Sequence, residues 1–103
     1  MQELTSDTFQ SAISGPLPVL VDFWAPWCGP CKAMIPSLLT LDKELAGKVV
    51  IAKVNVDNED VLAAQFKVKA LPTLKLFKNG VEIANTVGLH SKEELLAFLT
   101  PHI

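Results

Sequence analysis

Several residue types and patterns are scarce in this chain of 103 residues, and each scarcity excludes a class of protein. The sequence has no tyrosine, two histidines and two cysteines, and its lysines are scattered singly rather than clustered. With a formal net charge of −2, such a chain is not expected to bind nucleic acid. No apolar run approaches the roughly 20 residues that cross a bilayer, so we expect no membrane association.

What is present points to one folded domain. The hydrophobic fraction of 50% and the mean hydropathy of +0.34 exclude a disordered chain, which needs low hydrophobicity and high net charge. The length suits one domain with a single core, covering residues 1–103. The first residues have neither a basic stretch nor an apolar one, so the sequence predicts a cytoplasmic protein without a signal peptide. A mature organelle form whose transit peptide had been removed would look the same.

The two cysteines, Cys28 and Cys31, stand where an apolar run gives way to a helical pattern. The run Val-Leu-Val-Asp-Phe-Trp precedes them and is typical of a buried strand. The residues after them repeat at spacings of three and four, which predicts a helix. Both thiols are therefore expected at the first turn of a helix, where free backbone N–H groups stabilise a thiolate and so make it reactive.

Two other interpretations of the cysteine pair, a zinc site and a structural disulfide, are weaker than that of a redox-active pair. A zinc site needs four ligands, and the chain adds only His90 and His102, twelve residues apart, which does not match structural zinc sites. We therefore expect no metal. A structural disulfide is a stronger alternative, but closing a loop of about four residues gives only about 2 kcal/mol, against about 4.7 for a loop of about 100. A redox-active pair is the prediction.

The remaining pattern predicts an α/β domain with a mixed sheet and helices on both faces. A helix should follow an N-cap at Thr5 or Ser6, and a capping box of Ser91 and Glu94 should open the last helix. Asn79-Gly80 predicts a two-residue hairpin. Pro36 should kink the long helix, and Gly47 should stop it. We expect a short extended piece before the first helix, strands at residues 19–24, 49–56, 73–78 and 81–87, and further helices at about 28–46 and 58–66.

The stretch Trp-Cys-Gly-Pro-Cys-Lys after Val-Asp-Phe-Trp-Ala resembles the active-site signature of the thioredoxin family. Lys53, Leu71-Pro72-Thr73, Asn79-Gly80 and Val87-Gly88 also fall where that family has equivalents, so the resemblance covers essentially the whole chain. It implies the thioredoxin fold, with a central five-stranded sheet in the order 1-3-2-4-5. Gly29-Pro30 between the cysteines is similar to the reducing members of the family.

Candidate catalytic residues follow from the chemistry of dithiol exchange. Cys28, at the helix start, is the expected nucleophile, and Cys31, one turn further in, is the expected resolving thiol. Asp22, embedded in the apolar strand, should have a raised pKa and is a candidate general base for Cys31, although it could instead be a turn or N-cap acid. Lys53 is either its tuning partner or a solvated surface lysine.

The resemblance also implies a docking surface for an extended substrate peptide. It implies a cis bond at Leu71-Pro72, facing the cysteines, and a free backbone edge at Leu71. Trp24 is expected in the core. Leu71, Leu89 and Lys67 depart from the residues most common at their positions in the family. None of the three touches the chemistry, but the two leucines bear on partner preference. The residues expected to meet substrate are Trp27, Gly29, Pro30, Leu71, Thr73, Gly88 and Leu89.

The predicted function is therefore that of a general protein-disulfide reductase. The resemblance implies disulfide-containing client proteins as partners, and recharging by a flavin- and NADPH-dependent thioredoxin reductase. We expect a monomer without a cofactor of its own. Two alternatives stay open at this point: the same fold working as an oxidase or isomerase, and a non-catalytic binding subunit. The presence of both thiols and Asp22 argues against the second, because binding alone needs neither.

Overall fold

The computed structural model describes all 103 residues. It contains five strands, four α-helices and a C-terminal 3-10 turn. In chain order these are β1 (Gln2–Glu3), α1 (Ser6–Ile13), β2 (Val19–Trp24), α2 (Gly29–Glu44), β3 (Val50–Asn55), α3 (Asp60–Gln65), β4 (Thr73–Lys78), β5 (Val81–Val87), α4 (Lys92–Leu99) and the turn Thr100–His102.

The strands form one mixed sheet in the order β1-β3-β2-β4-β5, which confirms the expected order. β1 and β2 both run parallel to β3, whereas β4 is antiparallel to β2 and to β5. β2 is central and nearly all of it is buried, as its apolar residues at both parities predict. Asn79 and Gly80 join β4 to β5 with φ angles of 53° and 80°, as the hairpin signal requires.

Helices cover both faces of the sheet, and alternate residues of β2 enter two different cores. Leu20 joins an aliphatic cluster under α2 and α4, which includes Met34, Leu38, Leu41, Leu95 and Leu99. Val21 and Phe23 join the cluster under α1 and α3, which is rich in aromatic rings. Phe9, for example, packs edge-on against Phe77 with ring centroids 5.6 Å apart. The predicted fold class is confirmed.

The helix ends differ slightly from the sequence pattern. A capping box opens α4 at Ser91, as predicted, and Thr5, one of the two predicted candidates, is the N-cap of α1. α2 continues past Pro36 and ends at Glu44, slightly before the predicted end, and Gly47 lies in the following turn with φ 84°. α3 begins two residues later than predicted because the chain first makes a turn, in which the Asn55 side chain accepts a hydrogen bond from the Asp57 N–H at 3.0 Å.

Candidate active site

The two cysteines lie where β2 passes into α2, at the carboxyl end of the central strand. Cys28 is the N-cap of α2, with extended φ and ψ of −88° and 109°, and its sulfur accepts a hydrogen bond from the Cys31 N–H at 3.2 Å. Pro30 occupies the first turn, where a missing N–H group costs little. A disulfide joins Cys28 to Cys31, whose Cα atoms are 5.3 Å apart.

Neither sulfur is widely open to solvent. Cys28 is 5% exposed and Cys31 is fully buried. Cys31 is the more buried of the two, as predicted, but the difference in exposure is small because Ala25, Trp24 and Leu71 pack around both cysteines. A partner that reaches the disulfide must therefore approach from the Cys28 side.

Asp22 is buried on the same sheet face as Leu20, which packs against α2. Its neighbours in the sheet are Lys53 on β3 and Leu74 on β4. The Oδ1 atom has no hydrogen-bond partner. Burial raises the pKa of the Asp22 carboxyl from 3.8 to about 7, an effect that the charge of Lys53 opposes and the charge of Glu3 supports. Such a carboxyl can both hold and release a proton near neutral pH.

Lys53 does not form an ion pair with Asp22. Its Nζ atom lies 3.8 Å from Glu3 Oε1 and 4.7 Å from the centre of the Trp24 ring. Trp24 is half-buried rather than a core residue, and its Nε1–H donates to Glu3 Oε2 at 3.1 Å. The expectation that Trp24 belongs to the core is thus corrected: its indole N–H needs a polar partner, and Glu3 supplies it at the surface.

Sequence reasoning missed Glu3. It lies in a strand of only two residues, which has no recognisable pattern of its own. Its importance depends on the pairing of β1 with β3, which places Glu3 opposite Lys53. No local sequence pattern predicts such a pairing of distant strands.

The segments expected to dock a peptide are brought together beside the disulfide. The Leu71–Pro72 peptide bond is cis, and the Gly88 N–H donates to the Pro72 carbonyl at 2.9 Å. This hydrogen bond joins Gly88 to the residue that follows Leu71, and Leu89, the next residue after Gly88, is 55% exposed. Thr73 behaves differently: its side chain is buried and its hydroxyl donates to the Ala70 carbonyl.

Trp27 is the most exposed part of this surface, at 69%, and Gly29 and Pro30 beside it are also exposed. The Trp27 indole N–H donates to the carboxylate of Asp57 and lies 3.1 Å from both of its oxygens. Sequence reasoning did not identify Asp57 as a residue of the site. A signal existed for Asp57, because it follows β3, and the carboxyl ends of adjacent parallel strands meet at one edge of a sheet.

Lys67 adopts a left-handed conformation with φ 57°, which explains why a lysine is unusual at this position. Glycine and asparagine adopt such angles at lower cost. The residue lies in the turn that follows α3. It does not contribute to the packing around the cysteines.

Two further observations concern other kinds of site. Nowhere does the structure group three or more histidine, cysteine, aspartate or glutamate side chains so that they would hold a metal ion. None of the helices has the length and apolarity needed to span a membrane.

Comparison with known proteins agrees with this geometry. The family model described as Thioredoxin matches residues 1–101. A thioredoxin of Haemophilus influenzae is 49% identical over 96 residues, covering 92% of this chain and 90% of that protein. A thioredoxin of Alicyclobacillus acidocaldarius is 48% identical, covering 93% and 91%, and one of Rickettsia felis is 40% identical, covering 97% and 96%. A disulfide at the start of α2, in a sheet of this order and with relatives this similar, has one explanation: the chain is a member of the thioredoxin family.

Proposed function

We propose that this protein is a general reductase of protein disulfides that a thioredoxin reductase recharges. The coarser part of this statement, a thioredoxin-type dithiol–disulfide reductase, is supported by the family and by the cysteine pair. The observation that carries the proposal is the position of the two sulfurs. Cys28 caps a helix, where free N–H groups favour a thiolate, and the buried Cys31 follows it by one turn.

In the reduced protein, the Cys28 thiolate attacks one sulfur of a client disulfide. The client S–S bond breaks, the other client sulfur leaves as a thiolate that takes up a proton, and a mixed disulfide joins Cys28 to the client. Cys31 then loses its proton, and its thiolate attacks the Cys28 sulfur. The mixed disulfide breaks and the second client thiol is released. Two electrons and two protons have passed to the client, and the Cys28–Cys31 disulfide is formed.

Asp22 is the proposed acceptor of the Cys31 proton. It lies on the sheet face that α2 covers, and its pKa of about 7 matches a base that works near neutral pH. A buried carboxyl whose Oδ1 atom has no hydrogen-bond partner is costly to keep, so its presence on the sheet face covered by the helix that carries the dithiol supports a chemical role.

The proposed partners are extended segments of disulfide-containing proteins. Trp27, next to Cys28 in the chain, and Leu89 expose apolar side chains, and Leu71 packs against the cysteine pair. A client chain that paired with this backbone would bring its disulfide close to Cys28. The protein is proposed to act as a monomer in the cytoplasm, and the reductase that returns its two electrons is proposed to take them from NADPH through a flavin.

Two experiments test the proposal. In the first, NADPH oxidation is followed with a thioredoxin reductase and insulin as the disulfide substrate. The proposed function requires consumption of NADPH that depends on this protein, and its absence would contradict recharging by that route. In the second, Cys31→Ser should trap clients as mixed disulfides, whereas Cys28→Ser should trap almost none. Equal trapping by both variants would show that the roles of the two thiols are wrongly assigned.

A redox titration against glutathione separates the reductase from the oxidase alternative. The reference potential of thioredoxin is about −270 mV, whereas a strong disulfide oxidant lies near −120 mV. A value near the first supports the reductase, and a value near the second supports the oxidase.

A further inference from the structure

Lys53 lies between two carboxyl groups and pairs with only one of them. In the sheet, Lys53 of β3 stands opposite Asp22 of β2 on one side and opposite Glu3 of β1 on the other. Its ammonium group is 3.8 Å from Glu3, whereas no ion pair joins it to Asp22. Asp22 thus has no ion-pair partner, although the residue next to it on β3 is a lysine.

Trp24 completes the arrangement that holds the lysine. Trp24 lies two residues after Asp22 and therefore on the same face of β2. Its ring lies under the Lys53 ammonium, 4.7 Å from Nζ, and its Nε1–H donates to the second oxygen of Glu3 at 3.1 Å. Glu3 therefore contacts both residues, one through each carboxylate oxygen. We call Glu3, Trp24 and Lys53 the lysine clamp.

The main chain keeps the clamp in register. The Leu4 N–H donates to the Lys53 carbonyl at 2.7 Å, next to the position at which Glu3 and Lys53 pair. The Lys53 side chain is 23% exposed and the Glu3 side chain 40%, so the ion pair is partly shielded from water. A partly shielded pair holds its geometry better than an exposed one, and the cation–ring contact adds to it.

We propose that Glu3 is a positioning residue for the reaction: it holds the Lys53 ammonium away from Asp22, so that the Asp22 carboxyl stays a base able to take the proton of Cys31. The proposal rests on the proposed role of Asp22 and names a residue that acts on it through Lys53. An ammonium group in direct contact would favour the ionised carboxylate and so make it a weaker base. A base is most effective when its pKa lies near the working pH, which the clamp preserves.

The decisive variant is Glu3→Gln, which removes the charge but keeps a side-chain oxygen that can accept the Trp24 N–H. Without the carboxylate, Lys53 is free to turn toward Asp22. We expect the midpoint of the Asp22 titration, followed by carboxyl carbon NMR in the oxidised protein, to fall by roughly one pH unit. The pH inflection of the Cys31 resolving step, measured in single turnovers, should fall by the same amount.

Three further variants separate positioning from a structural role. Glu3→Asp keeps the charge but shortens the side chain, so it should shift the titration less than Glu3→Gln does. In a Lys53→Met background, Glu3→Gln should keep only the smaller part of the shift that comes directly from the charge of Glu3, because the lysine that the clamp holds is gone. Glu44→Gln removes the acid of another surface ion pair, the one with Lys92 at 2.7 Å, and should shift nothing.

The outcomes distinguish this inference from the proposed function. An unchanged Asp22 titration in Glu3→Gln overturns the inference, and so does a shift of equal size in Glu3→Asp or in the Lys53→Met background. Because NMR follows Asp22 without any substrate, a shifted titration supports the clamp even in a protein that failed to reduce insulin. That failure would overturn the reductase proposal alone.

Discussion

Asp22 and Lys75 are two charged residues buried in neighbouring strands of one sheet, and the fold treats them in opposite ways. Lys75 of β4 lies on the face of Val21, and its ammonium is 3.0 Å and 3.1 Å from the two carboxylate oxygens of Glu82. Asp22 of β2 lies on the other face, and its Oδ1 atom has no partner. The charge of Lys75 is neutralised within the β4–β5 hairpin, whereas the carboxyl of Asp22 has no such partner.

The difference shows where this protein carries an unfavourable interaction. A buried charge is tolerated when a partner and further hydrogen bonds surround it, and Glu82 also accepts a hydrogen bond from Asn85 at 3.2 Å. Lys75 meets that condition on the face of the sheet opposite to Asp22. Asp22 does not meet it, although Lys53 stands next to it in the sheet. The uncompensated carboxyl lies on the face that α2 covers, the helix that carries the dithiol.

The largest expected effect comes from removing the charge of Asp22. Because its pKa is raised, the native state keeps the proton between about pH 4 and pH 7 while the unfolded state has lost it. The parent therefore loses stability as the pH rises through that window, by roughly 4 kcal/mol in all at about 1.4 kcal/mol per pH unit. Asp22→Asn should be more stable than the parent by about this amount at pH 8, and no more stable below pH 4.

Chemical denaturation at several pH values measures this difference. Asp60→Asn is the matched control, since Asp60 is exposed and its replacement should give no such gain at neutral pH. If Asp22→Asn gains nothing at pH 8, Asp22 is not an uncompensated buried acid.

The same variant should slow the chemistry. Asparagine cannot accept the Cys31 proton, so release of a client from its mixed disulfide should be slower by roughly 100-fold, the lower end of the range for a lost general base. The parental rate should rise with pH through an inflection near 7, which the variant should lack. Single-turnover release at several pH values measures both. An unchanged rate and profile would remove Asp22 from the mechanism.

A smaller effect is expected when the other buried charge loses its partner. Glu82→Ala leaves the ammonium of Lys75, a residue that is only 9% exposed, without its carboxylate. The free energy of unfolding should fall by about 1.5–3 kcal/mol, as for a lost hydrogen bond to a charged group. Adding Lys75→Met should restore most of the loss, because the buried charge is then gone.

Lys78→Ala, at an exposed position of the same strand, is the control and should change stability by no more than about 0.5 kcal/mol. Equal losses in Glu82→Ala and Lys78→Ala would mean that Glu82 does not neutralise Lys75.

The smallest effect is expected at Glu94, whose carboxyl is exposed whereas that of Asp22 is buried. The backbone N–H of Ser91, 2.8 Å from its Oε1 atom, lowers the pKa of Glu94. Its pH dependence should therefore oppose that of Asp22: the stabilisation is present above the ordinary glutamate range and is lost as the pH falls. Glu94→Gln should cost a little stability at pH 7 and nothing at pH 2. Glu93→Gln, its neighbour without a cap bond, should show no such pH-dependent loss.

Much of the fold was predictable from local patterns. β2 was predicted from its apolar run, the β4–β5 hairpin from Asn79-Gly80, and the start of α4 from Ser91 and Glu94. These predictions succeed because each signal acts within a few residues. The strand order came from the family resemblance, since periodicity does not say which strands are neighbours. β1 was predicted only as a short extended piece at the N-terminus, without bounds, because two residues carry no periodicity.

The candidate site divides in the same way. The positions of Cys28 and Cys31 at a helix start were predictable, and so was the burial of Asp22 among apolar neighbours. The residues that form hydrogen bonds with the tryptophans of the site were not predictable. Asp57 meets Trp27, and Glu3 meets Trp24, only because separate parts of the chain end at the same edge of the sheet.

The sequence by itself determined that two thiols stand at the start of a helix behind a buried strand, because cap, turn and periodicity signals are local. Only the tertiary structure decided which carboxyl Lys53 would pair with. Two acids flank it in the sheet, and the register of β1 and β2 against β3 placed both within its reach. The ammonium lies near the partly exposed Glu3 and the Trp24 ring, where it stays solvated and keeps two contacts, rather than in the dry interior beside Asp22.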